Sequence, residues 1–391
     1  MASNFPSDSP VNILLIGLGS IGSIYAYLLE KSGKARVTAV ARSNYTLYTT
    51  DGVTLDTERF GEINNWKPYR VFKTQQEALN DGTFYASCIV CTKCLPDVLP
   101  NVKLLEDTIA SDQIGSYHLI QNGLGIEEDL YTALESREIP ILSSCAWIGI
   151  MTSSDGQVVS WRGQDILVTG IYPPASPETG NQTRTFSLKE TEALNLWVNL
   201  LRAGEGNVHT TERIDSIRFS KNVWNCAWAS VQGLVRATAL AFAPLSLEQA
   251  AVVKAYFREI VAVGFEAGLL WKGMIQYPSG EISAGLEDVV NYCWDKVRAP
   301  CCATSLIISY TDSAILQSQI IGMAVARGVG HKYSLLIDVE TGRPFELEVI
   351  IGSVLRLAQK NNIETPRLEY TYVLLKVLQG EILREKRMRV N

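Results

Sequence analysis

Hydrophobic and polar positions change rhythm part-way along the 391-residue chain. Up to about residue 207, short apolar runs of strand length alternate with helix-period stretches; from Asp215 onward, helix-period stretches follow one another to the end. The first apolar run, residues 11–16, enters the turn Gly17-Leu18-Gly19-Ser20-Ile21-Gly22, and a helical pattern over 24–29 then stops at Gly33. Further strands are expected at 35–41, 85–93, 117–121 and 141–150, with short strands and turns over 53–73. Residues 156–163 and 165–170 read as a hairpin closing the sheet. Residues 172–185 hold three prolines among Ser, Thr and Asn, so they read as a loop, and Ser187-Leu-Lys-Glu190 is a capping box opening a helix through Leu201. Breaks near Pro244, Pro278, Pro300, Gly342 and Pro366 divide the helical half. The pattern predicts an α/β Rossmann-type domain over 1–207 and an all-α domain over 208–391.

Composition sharpens this only by exclusion. Apolar residues make up 47% and charged residues 19%, as in a globular protein, and 35 basic against 41 acidic residues give a net charge of −6. That balance recruits neither nucleic acid nor an anionic membrane. The first ten residues lack a signal-peptide pattern, no apolar run is long enough to span a bilayer, and eight scattered cysteines suit reduced thiols; a cytoplasmic location is expected.

The glycine turn carries the first chemistry. Gly17 suits a tight turn, Gly19 lets a pyrophosphate approach the backbone, and Gly22 lets helix and strand pack closely; Ser20 and Ile21 supply backbone N–H groups at the helix start. At the end of the second strand, where an acid would read the ribose of NAD, stand Arg42 and Ser43, and no acid occurs before Asp51. A guanidinium and a hydroxyl suit a 2′-phosphate, so NADP(H) is the expected cofactor. Lys93 and Asn122 follow later strands at their carboxyl ends, where ligands sit in such sheets. Cys88, Cys91 and Cys94 are spaced three apart, but strand alternation points Cys88 and Cys91 to opposite faces, so core thiols are expected rather than a metal site.

In the helical half, Lys221 and Asn225 are one turn apart on one helical face, and Ser334 and Asp338 share another. Gly342 ends that helix, Pro344 suits the start of the next, and Glu346 falls in its first turn. Spacing alone leaves open a snorkelling surface lysine at 221 and a dipole-favoured glutamate at 346.

The ordered set Gly17-Leu-Gly-Ser-Ile-Gly22, Arg42, Thr92-Lys93, Gln121-Asn122-Gly-Leu-Gly125, Lys221-x-x-x-Asn225 and Ser334-x-x-x-Asp338 with Gly342-Arg-Pro-x-Glu346 resembles the ketopantoate reductase (2-dehydropantoate 2-reductase) family. The resemblance implies a Rossmann domain followed by an all-α domain like the C-terminal domain of 6-phosphogluconate dehydrogenase, with the active site between them. It further implies that Gly17, Gly19, Ser20, Ile21, Gly22, Arg42, Lys93 and Asn122 hold NADPH, and that Asn122, Asn225 and Ser334 orient a small ketone or 2-oxo acid substrate. Lys221 would be the catalytic acid with Glu346 as its partner, and no metal is needed. Two departures bear on the substrate: Ala229 stands where the family usually has a second asparagine, and an insert near 300–331, containing Cys301-Cys302, lengthens the chain. They leave room for two alternatives: a repurposed member catalysing a non-redox cyclisation or isomerisation, and a non-catalytic NADP-sensing module. By family analogy a homodimer is an assembly open to the chain.

Overall fold

The structure is a computed structural model that describes residues 9–175, 184–242, 244–274, 280, 285–298 and 332–390. The expected insert at 300–331 lies outside the described residues. The chain forms two compact units: one comprises 1–92, 100–121 and 127–214, the other 93–99, 122–126 and 215–391.

The first unit is built on one ten-stranded sheet. Its strands are β1 (Val11–Ile16), β2 (Ala35–Val40), β3 (Val53–Thr57), β4 (Gly61–Trp66), β5 (Arg70–Phe72), β6 (Ser87–Val90), β7 (Tyr117–Leu119), β8 (Ile141–Thr152), β9 (Val158–Tyr172) and β10 (Val208–Thr210). The run β5-β2-β1-β6-β7-β8 is parallel throughout, the strand order of a dinucleotide-binding sheet. Ile13 to Ile16 are buried, and so are all four residues of β6, as expected of parallel strands covered on both faces. Strand order reverses beside β1, and the glycine turn follows that strand.

Helix α1 (Ser20–Lys31) packs Ile24, Tyr25, Leu28 and Leu29 into the core. Its approach to the sheet depends on Gly22, where an added Cβ would stand 2.2 Å from the Gly17 carbonyl oxygen and 3.2 Å from Leu15. Gly17 turns the chain at φ +101°, tight against Thr92. The short helix α2 (Tyr45–Thr49) follows β2. The capping box at Ser187 is formed with Glu190 and opens α3 (Leu188–Ala203).

The expected hairpin over 156–170 is corrected. Both stretches belong to the single long strand β9, whose antiparallel partner is β8. Gly163, at φ +74°, marks a bulge: the register steps from Ile148↔Asp165 to Gly149↔Arg162, leaving two residues unpaired. The length of β9 lets it hold β3 along Val158–Trp161 and β10 along Leu167–Thr169. β10 pairs with this sheet, and the first unit runs on through Ile214.

The second unit is helical: α4 (Ile214–Trp224, its first residue still in the first unit), α5 (Ser230–Val235), α6 (Leu247–Glu266), α7 (Leu286–Arg298), α8 (Ser334–Glu340), α9 (Ser353–Lys360) and α10 (Pro366–Val390). Trp228 anchors its core, stacked on Trp294 at 5.7 Å and edge-on to Phe257 at 5.1 Å, while its indole N–H donates to the Cys293 carbonyl. Helix α10 begins with proline, whose missing N–H costs nothing there, and Glu259 of α6 accepts from the backbone N–H groups of Arg367 and Leu368. Among the described residues no helix is long and apolar enough to cross a membrane.

Gly22→Ala should lower unfolding stability by about 1–3 kcal/mol in urea denaturation, because its Cβ meets backbone. Gly19→Ala, whose Cβ would meet nothing within 4 Å, should stay within about 0.5 kcal/mol of wild type.

Candidate functional site

Two short stretches that follow β6 and β7 belong to the second unit: Lys93–Leu99 and Asn122–Ile126. The second is fastened tightly. Leu124 N–H donates to the Val349 carbonyl, and Arg218 donates to the Gly123 carbonyl at 3.2 Å. Gly123 sits at φ +98°, where an added Cβ would stand 2.5 Å from Val349 Cβ, so only glycine permits this approach. The first stretch is tied by Gln379 of α10, which donates to Asp97 and accepts from the backbone N–H of Phe345, next to Glu346.

This fastening assembles a polar chain. Lys221, near the end of α4, donates from Nζ to Asn122 Oδ1 at 2.8 Å. Glu346 accepts from the Cys94 backbone N–H at 3.2 Å, and Asn122 lies near enough to it to favour its charged form. Glu346 is only 5% exposed. Beside it, Lys93 pairs with the buried Asp338 of α8, which also has Arg343 at 3.6 Å. Burial raises the pKa of Glu346 above the ordinary glutamate value; Lys93, the Cys94 N–H and Asn122 oppose the rise, while Asp338 adds to it. Burial likewise raises Asp338, against the pull of Lys93 and then Arg343.

Local backbone explains two differences from simple helical spacing. Asn225–Ala229 and Glu348–Gly352 are π-helical, so a wide turn follows each of Lys221 and Glu346. Glu346 itself stands just ahead of the helical segment rather than in its first turn. Asn225 is half-buried and Ser334 exposed at the start of α8, each without a polar partner among the described residues. Ala229 is buried at 1% exposure.

In the first unit, the α1 N-terminus has no side-chain cap and no acid in its first turn. Ser20 Oγ lies 2.5 Å from Thr152 Oγ1, and Gly19 opens onto empty space. Arg42 is exposed, without a hydrogen bond or ion pair among the described residues. These groups fit a dinucleotide: bare N–H groups for phosphate, room for close approach, and an uncommitted guanidinium. Cys88 and Cys94 are buried and Cys91 half-buried; burial pushes the Cys91 thiol up to about 12, a core thiol's behaviour.

The structure thus joins Lys221, Asn122, Glu346 and Lys93, and adds Asp338, whose role had no assignment from spacing although it stood in the Ser334-x-x-x-Asp338 motif. The fasteners Arg218, Asn222 (which donates to the Ile350 carbonyl) and Gln379 gave no sequence signal, since each acts on backbone or on a distant segment.

Family comparison agrees with the motifs. The model described as ketopantoate reductase PanE/ApbA matches residues 13–174, and that described as its C terminal matches residues 213–379. The chain belongs to the ketopantoate reductase family. An uncharacterised protein of Saccharomyces cerevisiae is 24% identical over 391 residues, covering 96% of this chain and 95% of that one. A 2-dehydropantoate 2-reductase of Nostoc is 22% identical over 369 residues, covering 94% of each. Among solved structures, 2-dehydropantoate 2-reductase from Methylococcus capsulatus aligns with TM-score 0.67 at 24% identity, over 95% of this chain and 98% of that one. D-mandelate dehydrogenase with NADH and anilino(oxo)acetate aligns with TM-score 0.65 at 15% identity, over 95% and 99%. The shared fold of this oxidoreductase family is a Rossmann unit with a helical C-terminal unit.

Because the folded pKa of Glu346 is raised, its favourable contribution to stability is full at acid pH and is lost as pH rises through that raised value. Urea unfolding across pH 4–8 should therefore show wild type losing more stability with rising pH than Glu346→Gln. Parallel profiles would contradict the burial argument.

Proposed function

We propose that this family member uses NADPH to reduce a 2-oxo acid or a related ketone to its hydroxy product, with Lys221 as proton donor. The observation that carries the reading is Lys221 donating to Asn122, which stands near the buried Glu346. Gly17, Gly19, Ser20, Ile21, Gly22 and Arg42 hold the cofactor. When bound, the nicotinamide supplies the hydride. As hydride arrives, negative charge grows on the ketone oxygen, and the Lys221 ammonium stabilises that charge and then gives up a proton.

Asn122 holds the ammonium in place through its carbonyl oxygen, and the same side chain stands near Glu346. Glu346 is the carboxyl group on the other side of Asn122 from the lysine's contact. Lys93 spends one of its three donors on Asp338 and retains others for the cofactor. Asn225 and Ser334 supply uncommitted polar groups that orient the substrate. Ala229 removes one polar contact that the family usually offers, which favours a ketone other than ketopantoate itself.

The test is NADPH consumption with ketopantoate and a panel of 2-oxo acids. Turnover of at least one ketone is expected, and Lys221→Ala should lower kcat/KM by roughly 10²- to 10⁴-fold with NADPH affinity kept. Tight NADPH binding without consumption of any ketone, or full activity in Lys221→Ala, would overturn the proposal.

A further inference from the structure

Strands β2 and β5 run parallel, in register through Val40↔Phe72, and Ala41 N–H donates to the Phe72 carbonyl. Beyond this shared carboxyl end come Ala41 and then Arg42 on one strand and Lys73 on the other. Both are exposed, and neither side chain makes an ion pair among the described residues. The Lys73 ammonium lies 4.9 Å from the centroid of the Tyr45 ring, at the start of α2 in the loop that follows Arg42. The nearby carboxylate of Glu77 is occupied by the Lys73 backbone N–H at 2.9 Å.

The loop bearing Arg42 is also pinned to the glycine turn. Asn44 Nδ2 donates to the Leu18 carbonyl at 3.0 Å, and Ser43 Oγ donates to Asn44 Oδ1 at 3.2 Å. Phosphate-seeking side chains and the turn that takes the pyrophosphate therefore share one rigid connection.

We propose that Lys73 is the second cation of a 2′-phosphate seat, completing the site begun by Arg42 and Ser43 and setting the preference for NADPH over NADH. This rests on the NADPH reading above. Arg42 offers a planar fork and Lys73 a point charge from the neighbouring strand, so a dianionic phosphate is met from two sides. Nothing in NADH would engage Lys73.

The experiment measures binding of NADPH and NADH, and of the fragments 2′,5′-ADP and ADP, to wild type, Lys73→Met and Lys73→Arg. Wild type should favour the phosphorylated member of each pair. Lys73→Met should weaken NADPH and 2′,5′-ADP by about tenfold while leaving NADH and ADP unchanged. Lys73→Arg should restore most of the preference. A wild-type preference that survives Lys73→Met intact, or falls equally for both members of a pair, overturns the role of Lys73 while sparing the NADPH reading. Equal affinity of wild type for NADPH and NADH overturns the NADPH reading, and the phosphate seat with it.

Discussion

A single amide, Asn122, accepts from a lysine ammonium and stands near a buried carboxylate. A buried carboxylate without donors would be costly, and this one has the Cys94 N–H, with Asn122 and Lys93 nearby. Asn122 takes this place because the segment after β7 is fastened to the helical unit. Gly123 permits the contact with Val349, and Arg218 and the Leu124 N–H close it. The chemistry of the site depends on a backbone approach that one glycine makes available.

The two units divide the work by their backbone character. The sheet unit offers bare N–H groups at the start of α1, a glycine path along which a phosphate can come close, and exposed cations beyond β2 and β5. The helical unit offers the titratable groups. In it, a π-helical turn follows Lys221 and another follows Glu346, and Asn222 donates into the second. A widened turn shifts side chains off the ordinary helical register, so the polar groups need not follow the i, i+4 rows that govern the rest of these helices.

Much of this was legible along the chain. The glycine turn, the uncapped helix after it, the Arg42 position and the change from alternating elements to helices all follow from local pattern, because each is set by neighbours in sequence. The β8–β9 pairing was not. A glycine inside a strand carries the same signature as a turn glycine, and only the long antiparallel partner shows that Gly163 is a bulge. The candidate site was half legible. Lys221, Asn122 and Glu346 stood out by type and spacing, whereas the contact of Lys221 with Asn122 joins residues 99 positions apart, and Glu346 is remote again. Asp338 was visible as a motif position, but its pairing with Lys93, 245 positions away, is a tertiary fact.

The account stands or falls on whether Lys221, Asn122 and Glu346 act as one unit. The most direct measurement is a mutant cycle on kcat/KM, with the fastest ketone, using Lys221→Met, Glu346→Gln and the double variant. Residues that act through one amide should give a double variant no slower than the worse single variant by more than about threefold. A double variant whose loss equals the product of the two single losses would show that the lysine and the carboxylate act independently, and would contradict the account.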